Sequence, residues 1–342
     1  MRRKDIKEKL LQETYNLHYR LTNLLPNPDS ILRKIGRGIE IYRELKNDAH
    51  VWSCIQSRKS GTLSLPWQIE QNGCDDVVFH LVSSVFEKLD VYQIESDILE
   101  APLFGFQPIE IIWSIENNYI VPKELKARPQ EWFAFDNSGN LLFKGRFGDE
   151  YTKVPMCKVI NVQHEASAIN PYGHALLAKC YWPVTFKNGG LRFWVNFTEK
   201  YGMPILIGQY QRGATNEEIQ QLAQDLDSLY EDAILVAPMD VKLELHEANR
   251  SSSVDLYLEL IRFANNEISK AILSQTLTTE LEGGSYAASQ THFQIRKEII
   301  LADSRLVQNA FNQLIRYIVE LNFDTQSFPK FRLETTSSAQ VQ

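Results

Sequence analysis

The sequence predicts an α+β fold, and two observations carry that prediction. Between residues 61 and 164, short β-rich runs such as TLSLPWQIE and QPIEIIWSIE are interrupted by two helical stretches, without the regular strand–helix alternation of a doubly wound sheet. From residue 172 onward, apolar side chains recur at helical spacing over long segments. Because the chain has 342 residues, more than the roughly 250–300 at which one hydrophobic core stops growing, we expect at least two packed units.

The composition is that of an ordinary globular protein. Hydrophobic residues make up 44% of the chain and charged residues 23%, which provides enough apolar material for a core. No apolar run of about 18 residues occurs, so no membrane span is predicted, and the charged N-terminus does not look like a secretion signal. The cysteines form no CxxC pair and predict reduced, buried thiols of an intracellular protein. They are Cys54, Cys74, Cys157 and Cys180.

The net charge of −7 argues against a protein that simply coats DNA. The charge is also unevenly distributed. Residues 214–260 contain eleven acidic side chains against Lys242 and Arg250, whereas residues 179–200 carry a local excess of positive charge. This separation of charge predicts either surfaces that contact different partners or faces that are simply exposed to water.

Residues 172–201 predict a helix with two distinct faces. At about 100° per residue, Trp182, Phe186, Phe193 and Phe197 form one stripe, which predicts a core or helix–helix contact. Polar side chains collect on the opposite face, and these are Thr185, Asn188, Arg192, Asn196 and Glu199.

Three further segments follow this helix. Residues 201–247 predict a compact strand–helix–strand–strand insert, whose helix starts at a T-x-x-E capping box from Thr215 to Glu218. A second long helix is predicted over residues 252–273. A third helical pattern runs from about residue 287 to 323 without Gly or Pro, which corresponds to roughly 55 Å at 1.5 Å per residue. A helix of this length needs support along its sides, which neighbouring subunits can provide.

The loop SQTLTTELEGGSYAASQTH, at residues 274–292, first suggests a phosphate cradle. Gly283 and Gly284 are not followed by a lysine, however, and Glu280 and Glu282 would repel a phosphate, so a flexible polar loop is favoured. The sequence also lacks the GxxxxGK[ST], GxGxxG and GxSxG patterns, and its histidines lack the HxxxH and HExxH spacings of zinc sites. We therefore predict no catalytic residue, no metal site and no cofactor.

Four parts of the sequence carry a resemblance to a known family, and they are DAHVWSCIQSRKSGTLSLPW, APLFGFQPIEIIW, NPYGHALLAKCYWPVTFKNGGLRFWVNFTEKYGMPILIG and NNEISKAILSQTLTTE with the following GGSYAASQTH. Together they closely resemble the Mu-like bacteriophage portal proteins, a branch of the tailed-phage portal family, and the resemblance covers residues 25 to 325. It implies a non-enzymatic subunit of a dodecameric ring at the capsid vertex, assembled in the host cytoplasm and carried in the virion. Such a ring passes double-stranded DNA, docks the terminase large subunit and the head–tail connector, and contacts capsid and scaffold proteins.

The resemblance also implies a division of the chain into functional segments. After a helical arm at 1–24, these are a wing at 25–171, a first stem helix at 172–201, a clip at 202–251, a second stem helix at 252–273, a tunnel loop at 274–286, a long helix of the wing or crown base at 287–325 and a polar tail at 326–342. Family members continue further beyond Phe323 than this chain does, so we expect either a shortened chain or a short-crowned variant.

Two sets of side chains are expected to act within this plan. The channel and DNA-facing candidates are Asn188, Arg192, Lys270, Thr278, Thr279, Glu280, Glu282 and Ser285. The candidates for partner docking on the clip are Asp225, Asp227 and Glu231. A loop beside moving DNA should be polar and poor in cations, because each bound cation adds a salt-dependent attraction to the phosphates.

Two alternatives from other functional classes stay open at this point. A DNA-modifying or phosphotransfer enzyme could use His164, Glu165 and His174 as acid–base groups, although a histidine at a strand end more often has a structural role. A monomeric adaptor could bind a partner through the acidic helix at 214–232, although acids spread along an amphipathic helix usually form its solvated face.

Overall fold

The α+β prediction is confirmed, because helices and mainly antiparallel strands alternate irregularly along the chain. The computed structural model describes residues 24–144, 150–201, 206–211, 213–227, 234–238, 250–276 and 286–334. The chain divides into two compact units, as its length predicts. The first unit contains the residues up to Trp182 and those from Glu267 onward, and the second is Pro183–Asn266.

The elements of the described residues follow one another in this order. The first part contains β1 (Leu24–Leu25), α1 (Ser30–Ile35), α2 (Ile41–Leu45), α3 (Ala49–Leu63), β2 (Trp67–Glu70), α4 (Asp76–Lys88), α5 (Val91–Ile98), α6 (Ala101–Phe104), β3 (Phe106–Glu116), β4 (Tyr119–Ala127), β5 (Phe133–Asp136), β6 (Leu141–Phe143), β7 (Thr152–Lys153) and β8 (Val159–Gln163). The remainder contains α7 (Leu176–Tyr201), β9 (Leu206–Tyr210), α8 (Asn216–Asp227), β10 (Ile234–Pro238), α9 (Arg250–Leu273), α10 (Tyr286–Asn322) and β11 (Lys330–Leu333).

Among the described residues of the first unit, antiparallel strands form three small sheets. Strand β3 lies between β4 and β8, and Ile109 faces Ile160 across the pair. A second sheet has the order β1-β5-β6-β7. Its β5–β6 hairpin turns at the predicted DNSGN segment, because Asp136 accepts hydrogen bonds from the backbone of Ser138 and Asn140 at 2.9 and 2.8 Å.

The main core of the first unit lies between helices α4 and α10. Val78, Val82, Val85 and Phe86 recur at helical spacing and are all buried, so α4 presents one continuous apolar face. Helix α10 contributes a matching buried face, which comprises Val307, Ala310, Phe311, Leu314, Ile315, Ile318 and Val319. Burying each of these large side chains contributes about 1.5–3 kcal/mol, which fixes the long helix against the first unit over its second half.

Strand β11 corrects the predicted polar tail at 326–342. Lys330–Leu333 pair with β2, and the ring of the fully buried Phe331 packs at a tilt of 39° against that of Phe311, with ring centroids 4.4 Å apart. The side-chain amide of Asn312 pairs with both backbone groups of Phe331, at 2.9 and 3.2 Å. The tail prediction was therefore wrong for these four residues. The short segment FPKFRL has no clear strand pattern of its own, and residues far away in the sequence supply its pairing partners.

Helix α7 begins at Leu176 and not at residue 172 as predicted, because the preceding NPYG segment forms a turn. Gly173 has φ +71°, and a Cβ atom there would lie 2.3 Å from the carbonyl oxygen of Gly105 and 2.4 Å from that of His164. The Tyr172 hydroxyl donates to the carbonyl of Leu25 at 2.7 Å, and its ring meets the edge of Phe135. This segment therefore fixes the start of α7 by backbone packing that only glycine permits.

The second unit contains the predicted insert. Strands β9 and β10 are parallel, with Val236 opposite Gly208, and α8 connects them. The capping box is confirmed, since the backbone nitrogens of Thr215 and Glu218 each donate to the side chain of the other residue, at 2.9 and 3.3 Å. The final strand that was predicted at 241–247 lies outside the described residues.

Candidate assembly surface on the second unit

Helices α7 and α9 pack against each other in the second unit through a narrow inner face. Gly190 lies so close to α9 that an added Cβ atom would meet Cδ2 of Leu260 at 2.8 Å. The rings of Phe197 and Tyr257 approach to 6.1 Å between centroids. The first of these contacts explains why Gly190 is buried although most of the surrounding α7 surface is exposed.

The aromatic stripe of α7 is not part of the core of this chain. Phe186 and Phe193 are 58% and 66% exposed, and only Phe197 is half-buried against α9. Helical periodicity correctly placed these side chains on one face, but it does not determine what covers that face. Within this chain a core contact is therefore wrong for Phe186 and Phe193, and the alternative of a helix–helix contact stays a prediction.

A second apolar edge lies on the other side of α7. Leu191 is exposed, and Val195 is exposed by 54%. Between this edge and the aromatic edge lies a stripe of exposed polar side chains, which we call the polar stripe and which comprises Thr185, Asn188, Arg192 and Asn196. Helix α7 therefore exposes polar residues flanked by apolar residues on both sides.

Helix α9 exposes apolar residues on one edge. Leu256 and Phe263 are 66% and 62% exposed, and they lie on the same side because they are seven residues apart. The face turned away from the inner contact is charged and polar, and its exposed residues are Asp255, Glu259, Arg262 and Asn266. Exposed large apolar side chains grouped in this way mark an interaction surface.

The predicted channel residues fall in three different places. Asn188 and Arg192 are exposed on the polar stripe. Lys270 belongs to the first unit and forms an ion pair with Glu267 at 2.7 Å, so its charge is compensated within the same helix. The remaining predicted loop residues lie outside the described residues, and these are Thr278, Thr279, Glu280, Glu282 and Ser285.

The predicted docking acids are only partly described. Asp225 and Asp227 lie in the last turn of α8, whereas Glu231 lies outside the described residues. Helix α8 also carries Glu217 and Glu218 in its first turn, where acids interact favourably with the helix dipole.

Arg58 holds together the two helices that flank the predicted tunnel loop. Its Nε and Nη2 atoms donate to the two carboxylate oxygens of Asp303 in α10 at 2.8 and 2.9 Å, and Nη1 donates to the carbonyl of Ile272 near the end of α9 at 2.8 Å. The ion pair is largely buried, with side-chain exposures of 10% and 2%. Sequence reasoning missed this contact, although Arg58 follows Val51 and Ile55 at helical spacing and so lies on the buried face of α3.

A second contact secures α9 from the same side. His50 lies 2.7 Å from the hydroxyl of the buried Ser269, measured from its Nε2 atom. The last turn of α9 is buried at Ile272 and Leu273, so this end of the helix is fixed within the first unit.

The histidines of the enzyme hypothesis serve the turn before α7. Nδ1 of His164 lies 2.8 Å from the carbonyl oxygen of His174, and the backbone nitrogen of His164 donates to Gly105 at 2.8 Å. Both contacts stabilise backbone, which fits the structural role favoured by the sequence. No group of three or more His, Cys, Asp or Glu side chains suited to a metal ion occurs among the described residues.

A small cavity of about 200 Å³ in the first unit gathers three cationic side chains, each matched by an acid. Arg43 pairs with Glu131, and Lys46 with Glu100. Arg128 pairs with Glu110 at 2.6 Å. Although burial alone would raise the pKa of Glu100, the nearby Lys59 and Lys46 lower it, so the acid stays ionised and compensates their charge.

Comparison with known proteins decides the family. Residues 39–342 match the family model described as the portal protein of Mu bacteriophage. The chain belongs to this family. No helix among the described residues is long and apolar enough to cross a membrane.

Two curated relatives support the assignment. The portal protein of Escherichia phage Mu is 28% identical over 295 residues, which cover 82% of this chain and 56% of that protein. The Mu-like prophage FluMu protein gp29 of Haemophilus influenzae is 27% identical over 317 residues, covering 86% of this chain and 59% of that protein. The chain thus spans somewhat more than half the length of these relatives.

Two solved structures share the fold at low sequence identity. The neck of an empty gene transfer agent particle, computed with C6 symmetry, contains a chain with a TM-score of 0.60 and 13% identity, covering 91% of this chain and 84% of that one. A chain in the virion of a native gene transfer agent particle gives a TM-score of 0.59 and 11% identity, with coverages of 88% and 84%. These similarities show the shared fold.

Proposed function

We propose that this chain is the subunit of a phage portal, a dodecameric ring at the capsid vertex through which double-stranded DNA passes during packaging and ejection. Membership in the Mu portal family supports this function. So does the name of the phage Mu relative, which is a portal protein. In this function the chain acts as a structural component and guides DNA without chemical conversion.

The exposed apolar residues of α7 and α9 carry the proposal. Phe186, Phe193, Val195, Leu256 and Phe263 are each more than half exposed, and all belong to the second unit. Contact with neighbouring copies would remove this surface from water and contribute roughly 25 cal/mol for each Å² buried. The C6-symmetric assembly that contains a chain of the same fold fits a ring of this kind.

Ring formation is tested by native mass spectrometry and by sedimentation over a concentration series at physiological salt. The wild-type chain should form a large ring, and a variant with Phe186→Ser and Phe193→Ser should shift to single subunits or incomplete assemblies. The matched control is Asn188→Ser on the polar stripe of the same helix, which should still assemble. A wild-type chain that stays monomeric throughout the series would contradict the portal function.

The clip, at 202–251, is proposed to dock the terminase large subunit during packaging and the head–tail connector afterwards. The described part is self-contained, because α8 links the two paired strands β9 and β10. Changing Asp225, Asp227 and Glu231 to lysine should leave the ring intact and impair packaging. Normal packaging by an intact ring of this variant would remove the acidic face from the docking site.

The segment 274–286 is proposed to act as a tunnel loop that touches DNA without holding it. Its composition supports this role, since Glu280 and Glu282 repel phosphates and Thr278 and Thr279 form only weak contacts. Replacing both glutamates with lysine should tighten DNA binding, steepen its salt dependence and stall packaging. Unchanged DNA affinity and packaging would exclude the segment from the channel.

A further inference from the structure

We infer that the small cavity of the first unit binds a phosphate group, either as a free phosphate ion or as the end of a phosphate monoester. Arg43 and Lys46 of α2 line this cavity together with Arg128, which follows β4. Arginine and lysine donate strong, charge-assisted hydrogen bonds to phosphate oxygens. The site is independent of the proposed portal function.

Two lysines share one carboxylate beside the cavity. Glu100 pairs with both Lys46 and Lys59, so one negative charge compensates two positive charges. Burial lowers the pKa of Lys46 even though this carboxylate raises it, and repulsion by Lys59 and Arg43 adds to the lowering. The surroundings of Lys46 therefore lack a negative charge.

A second shared carboxylate holds Arg128. Glu110 pairs with Arg128 at 2.6 Å and with Lys158 at 3.0 Å. The third cation, Arg43, has a carboxylate of its own, because both oxygens of Glu131 accept from its guanidinium. Five cations in these ion pairs thus face three carboxylates, which leaves two positive charges in excess. A phosphate monoester carries about −1.5 to −2 at neutral pH and matches this excess.

Two further acids lie near these cations and are bonded elsewhere. The side chain of Glu40 accepts from the backbone of Gly38 at 3.2 Å. That of Asp97 accepts from the amide of Gln93 at 3.0 Å. Both act on the cations electrostatically, but neither forms an ion pair with them within the described residues. Of the acids in this part of the structure, Glu100 is the one that lines the cavity.

Two of the cations have donor groups to spare. The ammonium of Lys46 donates to Glu100 and can donate two more hydrogen bonds. The guanidinium of Arg128 contacts Glu110 through Nε and Nη2, and its Nη1 atom has no hydrogen-bond partner in the described parts of the chain. Because the side chains of Lys46 and Arg128 are 20% and 30% exposed, a ligand can reach them where water screens charge only partly.

Buried amides fix the floor of the cavity. Gln130 and Gln107 are both buried, and the amide of Gln130 donates to that of Gln107 at 2.6 Å. Gln107 in turn donates to the carbonyl of Arg128 at 3.0 Å, and Gln130 accepts from Arg43 at 2.9 Å. Both cations of α2 also lie over the ring of Phe104. The cations are thus held in place before a ligand arrives, which lowers the entropic cost of binding.

The size of the cavity selects a small group. Its volume of about 200 Å³ lies below the roughly 300–1,000 Å³ of sites for drug-sized ligands. At about 30 Å³ for each water molecule, it has room for about seven waters. A single phosphate group with its nearest waters fits this space, and the rest of a larger molecule would extend out of it.

Isothermal titration calorimetry of the full chain with inorganic phosphate, at fixed ionic strength, tests the site. The wild type should bind one phosphate per subunit. Phosphate at about ten times its Kd favours the folded state about 11-fold, so the melting temperature should rise by about 3–6 °C. Adenosine monophosphate in a parallel titration distinguishes the two sources. Tighter binding than that of free phosphate would assign the end of a monoester, and weaker or equal binding would assign the free ion.

The variant Lys46→Gln/Arg128→Gln should abolish binding. It should still fold, as judged by near-ultraviolet circular dichroism, because Glu100 and Glu110 each keep their second lysine. Each single substitution should weaken binding by about 10–100-fold, which provides the test if the double variant does not fold.

The matched control is Lys88→Gln/Lys126→Gln, which removes the same charge from two exposed ion pairs away from the cavity. This control should bind phosphate like the wild type. A wild-type chain that shows no saturable binding of phosphate or of the monoester would overturn the inference. Equal binding by the wild type and by the folded cavity variants would also overturn it.

Discussion

Replacing Arg58 with methionine should be among the most damaging single substitutions in the first unit. The guanidinium makes three hydrogen bonds at 2.8–2.9 Å, two to Asp303 and one to the carbonyl of Ile272. Methionine fills much of the same volume but donates none of these bonds. The Asp303 carboxylate, only 2% exposed, would then be buried without a counter-charge.

The size of the effect follows from that burial. Removing one partner of a buried ion pair costs about 3–5 kcal/mol, because the remaining charge has neither water nor a partner. At about 2–4 °C per kcal/mol, which holds for domains of 150–250 residues, the melting temperature should fall by about 6–20 °C. The double variant Arg58→Met/Asp303→Leu should recover much of the loss, because it leaves no buried charge.

The assay is thermal unfolding at neutral pH, with the assembly state checked for each variant. Arg37→Met is the matched control, because Arg37 pairs with Glu44 at 3.4 Å while both side chains are more than half exposed. Such a pair contributes about 0–1 kcal/mol, so this control should melt within about 4 °C of the wild type. Amide exchange should also accelerate at residues 273–276 in Arg58→Met, because the Ile272 carbonyl loses its anchor. If Arg58→Met melts with the control, the ion pair does not stabilise the fold.

Three further predictions concern the first unit. Burial raises the pKa of Glu95 from its ordinary value of 4.5 to about 7, so the free energy of unfolding of the wild type should decline as the pH rises through that interval. Measured by urea unfolding, Glu95→Gln should be more stable than the wild type by about 3 kcal/mol at pH 8, and this difference should disappear near pH 4. An advantage independent of pH would contradict this reading. Asn312→Ala should lower the free energy of unfolding by about 1–3 kcal/mol and accelerate amide exchange in β11. Asn322→Ala should instead accelerate amide exchange at Ile120 in β4. Equal exchange in β11 for both variants would show that Asn312 does not hold that strand. Gly173→Ala should prevent folding of the first unit, as judged by near-ultraviolet circular dichroism. The control Gly36→Ala, at φ +67° with no atom near the added Cβ, should lower the free energy of unfolding by only about 1–2 kcal/mol. A folded Gly173→Ala protein would contradict the close backbone packing.

Local patterns in the sequence predicted the elements that depend on local chemistry. The uninterrupted helical pattern after residue 286 predicted about 37 residues, and α10 has 37 residues. The capping box at Thr215 and the DNSGN hairpin were also predictable, because each is stabilised by side chains within a few residues.

Other features depended on partners far away in the sequence. Strand β11 pairs with a strand about 260 residues earlier, and Arg58 bonds to a residue 245 positions away. Contacts between residues so far apart produce no periodic pattern in the sequence. The exposure of Phe186 and Phe193 was missed for another reason, since periodicity assigns side chains to a face but does not show whether the same chain covers it.

The C-terminal end of α9 is anchored in the first unit next to the proposed tunnel loop. Its last turn is buried and is held by Arg58. The same guanidinium binds Asp303 in α10, so the helices on both sides of the loop cannot separate without breaking either the buried ion pair or the hydrogen bond to the Ile272 carbonyl. In the proposed portal ring, this contact would hold together the two helices that flank the proposed tunnel loop in every subunit.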